Sequence, residues 1–93
     1  MSYVPDYTPE SIEDLYRLPV HIQELVVNRI DELAQRPTEL SCRSHFPYRE
    51  NCQLFKFEIE DGTQRYVIHA MFQYSRDEVH LIIIGIKCVW PPP

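Results

Sequence analysis

Two alternating runs, Leu54-Phe55-Lys56-Phe57-Glu58-Ile59-Glu60 and Thr63-Gln64-Arg65-Tyr66-Val67-Ile68-His69, flank the dipeptide Asp61-Gly62. Asp-Gly in that setting signals a two-residue type I′ turn, whose two central positions both need φ > 0. Such a turn pairs Glu60 with Thr63, Glu58 with Arg65, Phe57 with Tyr66 and Phe55 with Ile68. Phe55, Phe57, Ile59, Tyr66 and Ile68 then share one face of the hairpin, and Lys56, Glu58 and Arg65 share the other. A slip of one residue would turn the apolar set to water, so the pattern and the turn specify one register. The chain is thereby committed to an antiparallel sheet with an apolar side for helices and a charged side, where function is expected.

With 93 residues, 44% hydrophobic and 25% charged, the sequence describes one small globular domain spanning 1–93 rather than a disordered chain. The apolar run Leu81 to Ile86 is far too short to cross a bilayer. Met-Ser-Tyr-Val-Pro-Asp-Tyr has neither a basic start nor an apolar core, so no signal peptide and a cytoplasmic location are expected. Cys42, Cys52 and Cys88 are odd in number and lack a disulfide framework, which predicts free thiols. A metal reading would recruit Cys42, His45 and Cys52, but these lack the paired close spacing of a zinc site, and neither metal nor cofactor is expected.

The net charge of −5 is unevenly placed. Up to Cys42 there are three basic residues against eight acidic ones, and from Arg43 onward six against six. A global field that would draw in nucleic acid is absent, which argues against direct DNA binding, while a local basic cleft stays possible.

Tyr3 to Tyr7 reads as a short strand that Pro5 confines to an edge or an interrupted pairing. Thr8-Pro9-Glu10-Ser11 is a helix start, with a hydroxyl cap, proline in the first turn and an acid beside it. Ile12, Leu15 and Tyr16 are its expected apolar face. Leu18-Pro19 opens a second helix to about Gln35, with Ile22, Leu25, Val26, Ile30 and Leu33 as its stripe, and Arg36-Pro37 ends it. Together they predict an αα-hairpin. Thr38 to Asn51 is polar and irregular. After the hairpin, whose second strand runs to about Phe72, Tyr74-Ser75-Arg76-Asp77 makes a turn. Val79 to about Lys87 forms the most apolar strand. Because Leu81 to Ile84 does not alternate, that strand is expected to be central and covered on both faces. The architecture predicted is α+β: an N-terminal αα-hairpin on one face of a small, mostly antiparallel sheet of three or four strands.

With glycine only at Gly62 and Gly85, a Gly-rich phosphate cradle is excluded, and no serine elbow or HExxH pair is present. Of the four histidines, His21 falls on an outer helix face, His45 in the irregular connection, and His80 reads as a packed strand histidine. His69 shares the strand face of Arg65 and lies near Lys56.

In order and spacing the chain resembles the RelE/ParE superfamily of toxins from type II toxin–antitoxin pairs. The resemblance runs from Tyr7-Thr8-Pro9-Glu10-Ser11 and Asp14-Leu15 through Leu18-Pro19 to the helix end Ile30-Asp31-Glu32-Leu33-Ala34-Gln35-Arg36-Pro37. It continues in Arg65-Tyr66-Val67-Ile68 and in Ile82-Ile83-Ile84-Gly85-Ile86-Lys87, where a glycine precedes a basic residue. Ribosome-dependent members of that family grip mRNA on the concave sheet face, and basic residues stabilise the phosphate while the neighbouring 2′-hydroxyl attacks it. By resemblance, the catalytic set is Lys56, Arg65 and Lys87. Arg65 is expected to matter most, and His69 is the nearby group with a suitable ordinary pKa.

Glu58 stands where active members carry a second strand lysine, the family's C-terminal tyrosine or histidine gives way to Trp90-Pro91-Pro92-Pro93, and the chain is acidic. The partners implied are a cognate antitoxin and ribosome-bound mRNA. Two alternatives stay open: a catalytically silent protein-binding module, and a ParE-like inhibitor of DNA gyrase.

Overall fold

The computed structural model describes residues 2–43 and 52–92. Eight elements follow one another: β1 (Val4–Tyr7), α1 (Pro9–Tyr16), α2 (Val20–Gln35), α3 (Pro37–Leu40), β2 (Cys42–Arg43), β3 (Gln53–Asp61), β4 (Gln64–Tyr74) and β5 (His80–Trp90). The strands form one sheet ordered β1-β5-β4-β3-β2, antiparallel except for β1 alongside β5. The α+β architecture is the expected one, with two-residue β2 as an added fifth strand inside the connection read as irregular. Val4 N and Thr8 N donate to Val79 O and Ile83 O, so odd-numbered nitrogens of β1 point away from β5. Pro5 occupies such a position, which is how an edge strand tolerates a missing donor.

The hairpin keeps its faces but not its predicted turn. Asp61 pairs with Gln64, Ile59 with Tyr66, Phe57 with Ile68 and Lys56 with His69, so Gly62 and Thr63 form the loop in place of Asp61 and Gly62. Gly62 has φ +61° and Thr63 does not have positive φ, the pattern of a II′ turn with glycine first. A type I′ turn at Asp61-Gly62 would have demanded positive φ of Asp61 as well. Moving the loop by one residue shifts the pairing by two, which preserves parity, and so Phe55, Phe57, Ile59 and Ile68 are buried as expected.

That inner face meets α2. Ile22, Val26, Ile30, Leu33 and Ala34 form one core with Phe55, Phe57, Ile68, Phe72, Ile83 and Ile86. Each large side chain removed from water there contributes about 1.5–3 kcal/mol. Leu25, expected in the stripe, is exposed, because the buried spacing 22, 26, 30, 33, 34 leaves position 25 on the flank. β5 lies inside the sheet between β1 and β4, as expected, with Leu81 and Ile83 in this core and Ile84 buried outside it. Phe72 pairs with Ile83 and Met71 with Gly85, so Ile84 is an extra bulged residue that interrupts the alternation.

The buried face of α1 is polar, contrary to expectation. Ser11 and Asp14 are buried, whereas Ile12 and Tyr16 are exposed and only Leu15 packs against the core. The helix runs beside β5 where β1 has ended, and unpaired backbone groups there require partners. Thr8 supplies the first link: its Oγ1 accepts from Ser11 N at 3.2 Å as the helix cap and donates to Ile84 O at 3.3 Å. No helix among the described residues is long and apolar enough to cross a membrane.

Candidate functional site

On the face opposite α2, the register aligns three of the four expected residues. Lys56 pairs with His69 and His69 with Lys87, so one row crosses β3, β4 and β5. Side chains on such neighbours stand about 5 Å apart at Cβ. Arg65 lies on the same face but four residues from His69, about 13 Å along the strand. It sits opposite Glu60 and reaches diagonally to Glu58, with Nη1 3.7 Å from Oε1. The sequence expectation of Glu58 directly across from Arg65 is corrected by the two-residue shift, yet the two charges still meet.

The cations of the row are in unequal states. Lys87 Nζ lies 3.0 Å from the carboxylate of Asp14, a residue that sequence reasoning did not select. Asp14 Oδ2 also accepts from Ile86 N at 3.1 Å, closing the β5 edge just past β1, and Arg17 Nη1 lies 3.7 Å from Oδ1. Such a buried carboxylate is tolerable because it is both hydrogen-bonded and paired. Lys56 makes no ion pair among the described residues. Burial, and then the Lys56 ammonium, push the His69 pKa below its ordinary 6.5, so the imidazole is neutral at pH 7 and able to accept a proton.

Two further residues complete the face. Val67 pairs with Trp90 and Ile68 with Cys88, leaving Val89 as the extra residue of a second irregularity. That offset brings Trp90, about half exposed, onto the face of His69 and Lys87. Ending the strand near Lys87 hid this: β5 continues for three more residues before the prolines. At Gly85 a Cβ would stand 2.7 Å from Met71 Cε and 3.6 Å from Asp14 Oδ2, so glycine keeps the foot of Lys87 open. For Asp14 the available signal was an acidic residue at a position of α1 that points toward the sheet, which a search for apolar periodicity passes over.

The remaining histidines lie elsewhere. His80, expected as a packed strand residue, places Nδ1 3.0 Å from Asp77 Oδ2 with its side chain 41% exposed. Hydrogen bonds from Ser75, Val79 and His80 hold the Asp77 carboxyl far below the usual carboxylate range, stiffening the β4–β5 turn. His21, exposed as expected, reaches Asp61 at the hairpin tip at 2.6 Å. His45 lies outside the described residues, as does any metal reading that uses it. An open cleft of about 790 Å³ between β1 and α2, lined by Tyr3, Pro5, Asp31 and Arg36 among others, contains none of the expected residues.

A two-helix unit leading into a mixed sheet with one face left uncovered is the fold seen in solved RelE toxin structures. A chain of the toxin–antitoxin complex RelBE2 from Mycobacterium tuberculosis is similar with a TM-score of 0.70 and 18% identity, over 95% of this chain and 99% of that one. A free arginine-to-alanine double mutant of the E. coli toxin RelE gives 0.64 and 15%, over 94% and 83%. The intact E. coli RelBE toxin–antitoxin complex gives 0.64 and 15%, over 92% and 95%. No family model and no curated protein matches the sequence.

Proposed function

We propose that this chain is a RelE-type toxin held in check by a cognate antitoxin, and that its outer sheet face acts on ribosome-bound mRNA. The observation that carries this reading is the cross-strand row of Lys56, His69 and Lys87, beside exposed Trp90, on the face that α2 leaves uncovered. Supporting the partner is the fold itself, shared with chains solved within toxin–antitoxin complexes.

RNA cleavage by an internal nucleophile needs a base for the 2′-hydroxyl proton, positive charge on the phosphorane, and a proton for the departing 5′-oxygen. As the 2′-oxygen bonds to phosphorus, the bond to the 5′-oxygen breaks, leaving a cyclic phosphate and a 5′-hydroxyl. Neutral His69 is suited to take the first proton. Lys56, unpaired among the described residues, supplies charge and a proton to the leaving oxygen. Trp90 offers a stacking surface for an adjoining base. Arg65 is the outlying cation, too far along β4 to join the row unless RNA draws it from Glu58.

A second reading, a catalytically silent protein-binding module, is favoured by the two anions that engage Arg65 and Lys87. Expression of the chain alone, and together with the small open reading frame beside its gene, tests the toxin assignment. Growth arrest that the neighbour relieves, with the two products purifying together, is expected. Unimpaired growth and no retained partner would refute it.

A further inference from the structure

The charge of Asp14 is not required by its structural task. A neutral asparagine would accept the Ile86 N–H bond, made at 3.1 Å, equally well. Yet the chain places a carboxylate there, 3.0 Å from Lys87 Nζ at the end of the row. The two partners differ in freedom: the Asp14 side chain is 7% exposed and fixed by the β5 backbone, while the Lys87 side chain is 57% exposed. When the pair opens, the lysine is therefore the group that moves. Arg17, 3.7 Å from the same carboxylate, remains to neutralise it. A carboxylate oxygen and a phosphate oxygen make the same charge-assisted bond to an ammonium.

We propose that Asp14 is an internal phosphate mimic that holds Lys87 away from RNA, so that Asp14 and the RNA backbone compete for one ammonium. This rests on the RNA-facing reading of the outer sheet. On this account the resting face presents Lys56 as its open cation, and full grip is reached only when RNA outbids Asp14 for Lys87.

The test measures binding of a short single-stranded RNA oligonucleotide to the full chain over a series of salt concentrations. Wild type, Asp14→Asn, Lys87→Gln and the double variant are compared, with thermal unfolding recorded for each. Asp14→Asn is expected to bind more tightly, and its log affinity should fall with log salt more steeply by up to about 0.7, the increment for one more phosphate fully neutralised on a single strand. In the double variant that gain should vanish. An unchanged or weaker affinity in folded Asp14→Asn, a gain that survives without Lys87, or no RNA binding by any variant overturns the inference.

Should Asp14→Asn fail to fold, Lys87→Gln decides. A Lys87 shared between Asp14 and RNA predicts a salt slope shallower than the wild type's by clearly less than about 0.7, and a full drop of about 0.7 contradicts it. Cleavage is scored separately on cellular mRNA. Wild-type cleavage with no affinity change in Asp14→Asn sinks the inference and leaves the function standing, and an affinity gain without cleavage does the reverse.

Discussion

The two faces of the β3–β4–β5 sheet are made from alternate residues of the same strands, yet they are organised by different physics. Inward-facing Phe55, Phe57, Ile68, Phe72 and Ile86 are held by area, all buried under one stripe of α2. Outward-facing Lys56, His69 and Lys87 are left uncovered by α2, and what distinguishes the two cations is that Lys87 has met Asp14 of α1 while Lys56 makes no ion pair among the described residues. Asp14 joins the two regimes at the sheet edge, buried like a core residue and bonded like a surface one. One face fixes the fold with little sensitivity to charge, and the other, to which the function is proposed to belong, is expected to tolerate charge changes with little effect on the fold.

Five substitutions can break or sharpen that contrast. Phe72→Ala, at a site with no exposure, is expected to cost about 3–5 kcal/mol in urea unfolding. A loss below about 1 kcal/mol would mean that area does not hold the inner face. Asp14→Ala should cost about 1–3 kcal/mol, because it orphans the buried Ile86 N–H, while the exposed Lys87 ammonium returns to water. Unaltered stability would place Asp14 on the functional side alone. Trp90→Ala should weaken binding of a short RNA by about 1–3 kcal/mol while barely moving the unfolding curve. Lost stability with intact binding would reverse that assignment.

The smallest effect concerns His69. Its folded pKa lies below 6.5, so the neutral ring is the form that folding favours. The associated stability is complete above the unfolded value and is lost as pH falls through the folded one. His69→Gln should flatten that part of the acid limb. Lys56→Gln, by removing the second cause of the shift, should move the His69 titration partway back toward 6.5 in an NMR experiment. A His69 resonance indifferent to Lys56 would separate two members of the row.

What could be read from the sequence follows the same division. Thr8 as helix cap, the edge position of Pro5 and the buried parity of Phe55, Phe57 and Ile68 were legible, because caps, proline and alternation act locally. The turn was misplaced by one residue, since an Asp-Gly pair allows either loop and only Gly62 takes positive φ. The irregularities at Ile84 and Val89 depend on pairing between strands and leave no local mark. They re-phase β5, and with it the placement of Lys87 and Trp90. Asp14 was missed because apolar periodicity detects burial against a face, whereas a sheet edge demands hydrogen bonds.

Mapping the 5′ ends of ribosome-bound mRNA after induced expression tests the central claim most directly. Wild type is expected to generate new ends within coding sequence, Lys56→Ala to lose them, and Glu58→Lys to increase them by removing the anion beside Arg65. Glu58→Lys should do so at a stability change of about 1 kcal/mol or less, since the pair it breaks is exposed. No new ends from wild type and none from an equally folded Glu58→Lys would contradict an RNA-cleaving face and leave the protein-binding reading in its place.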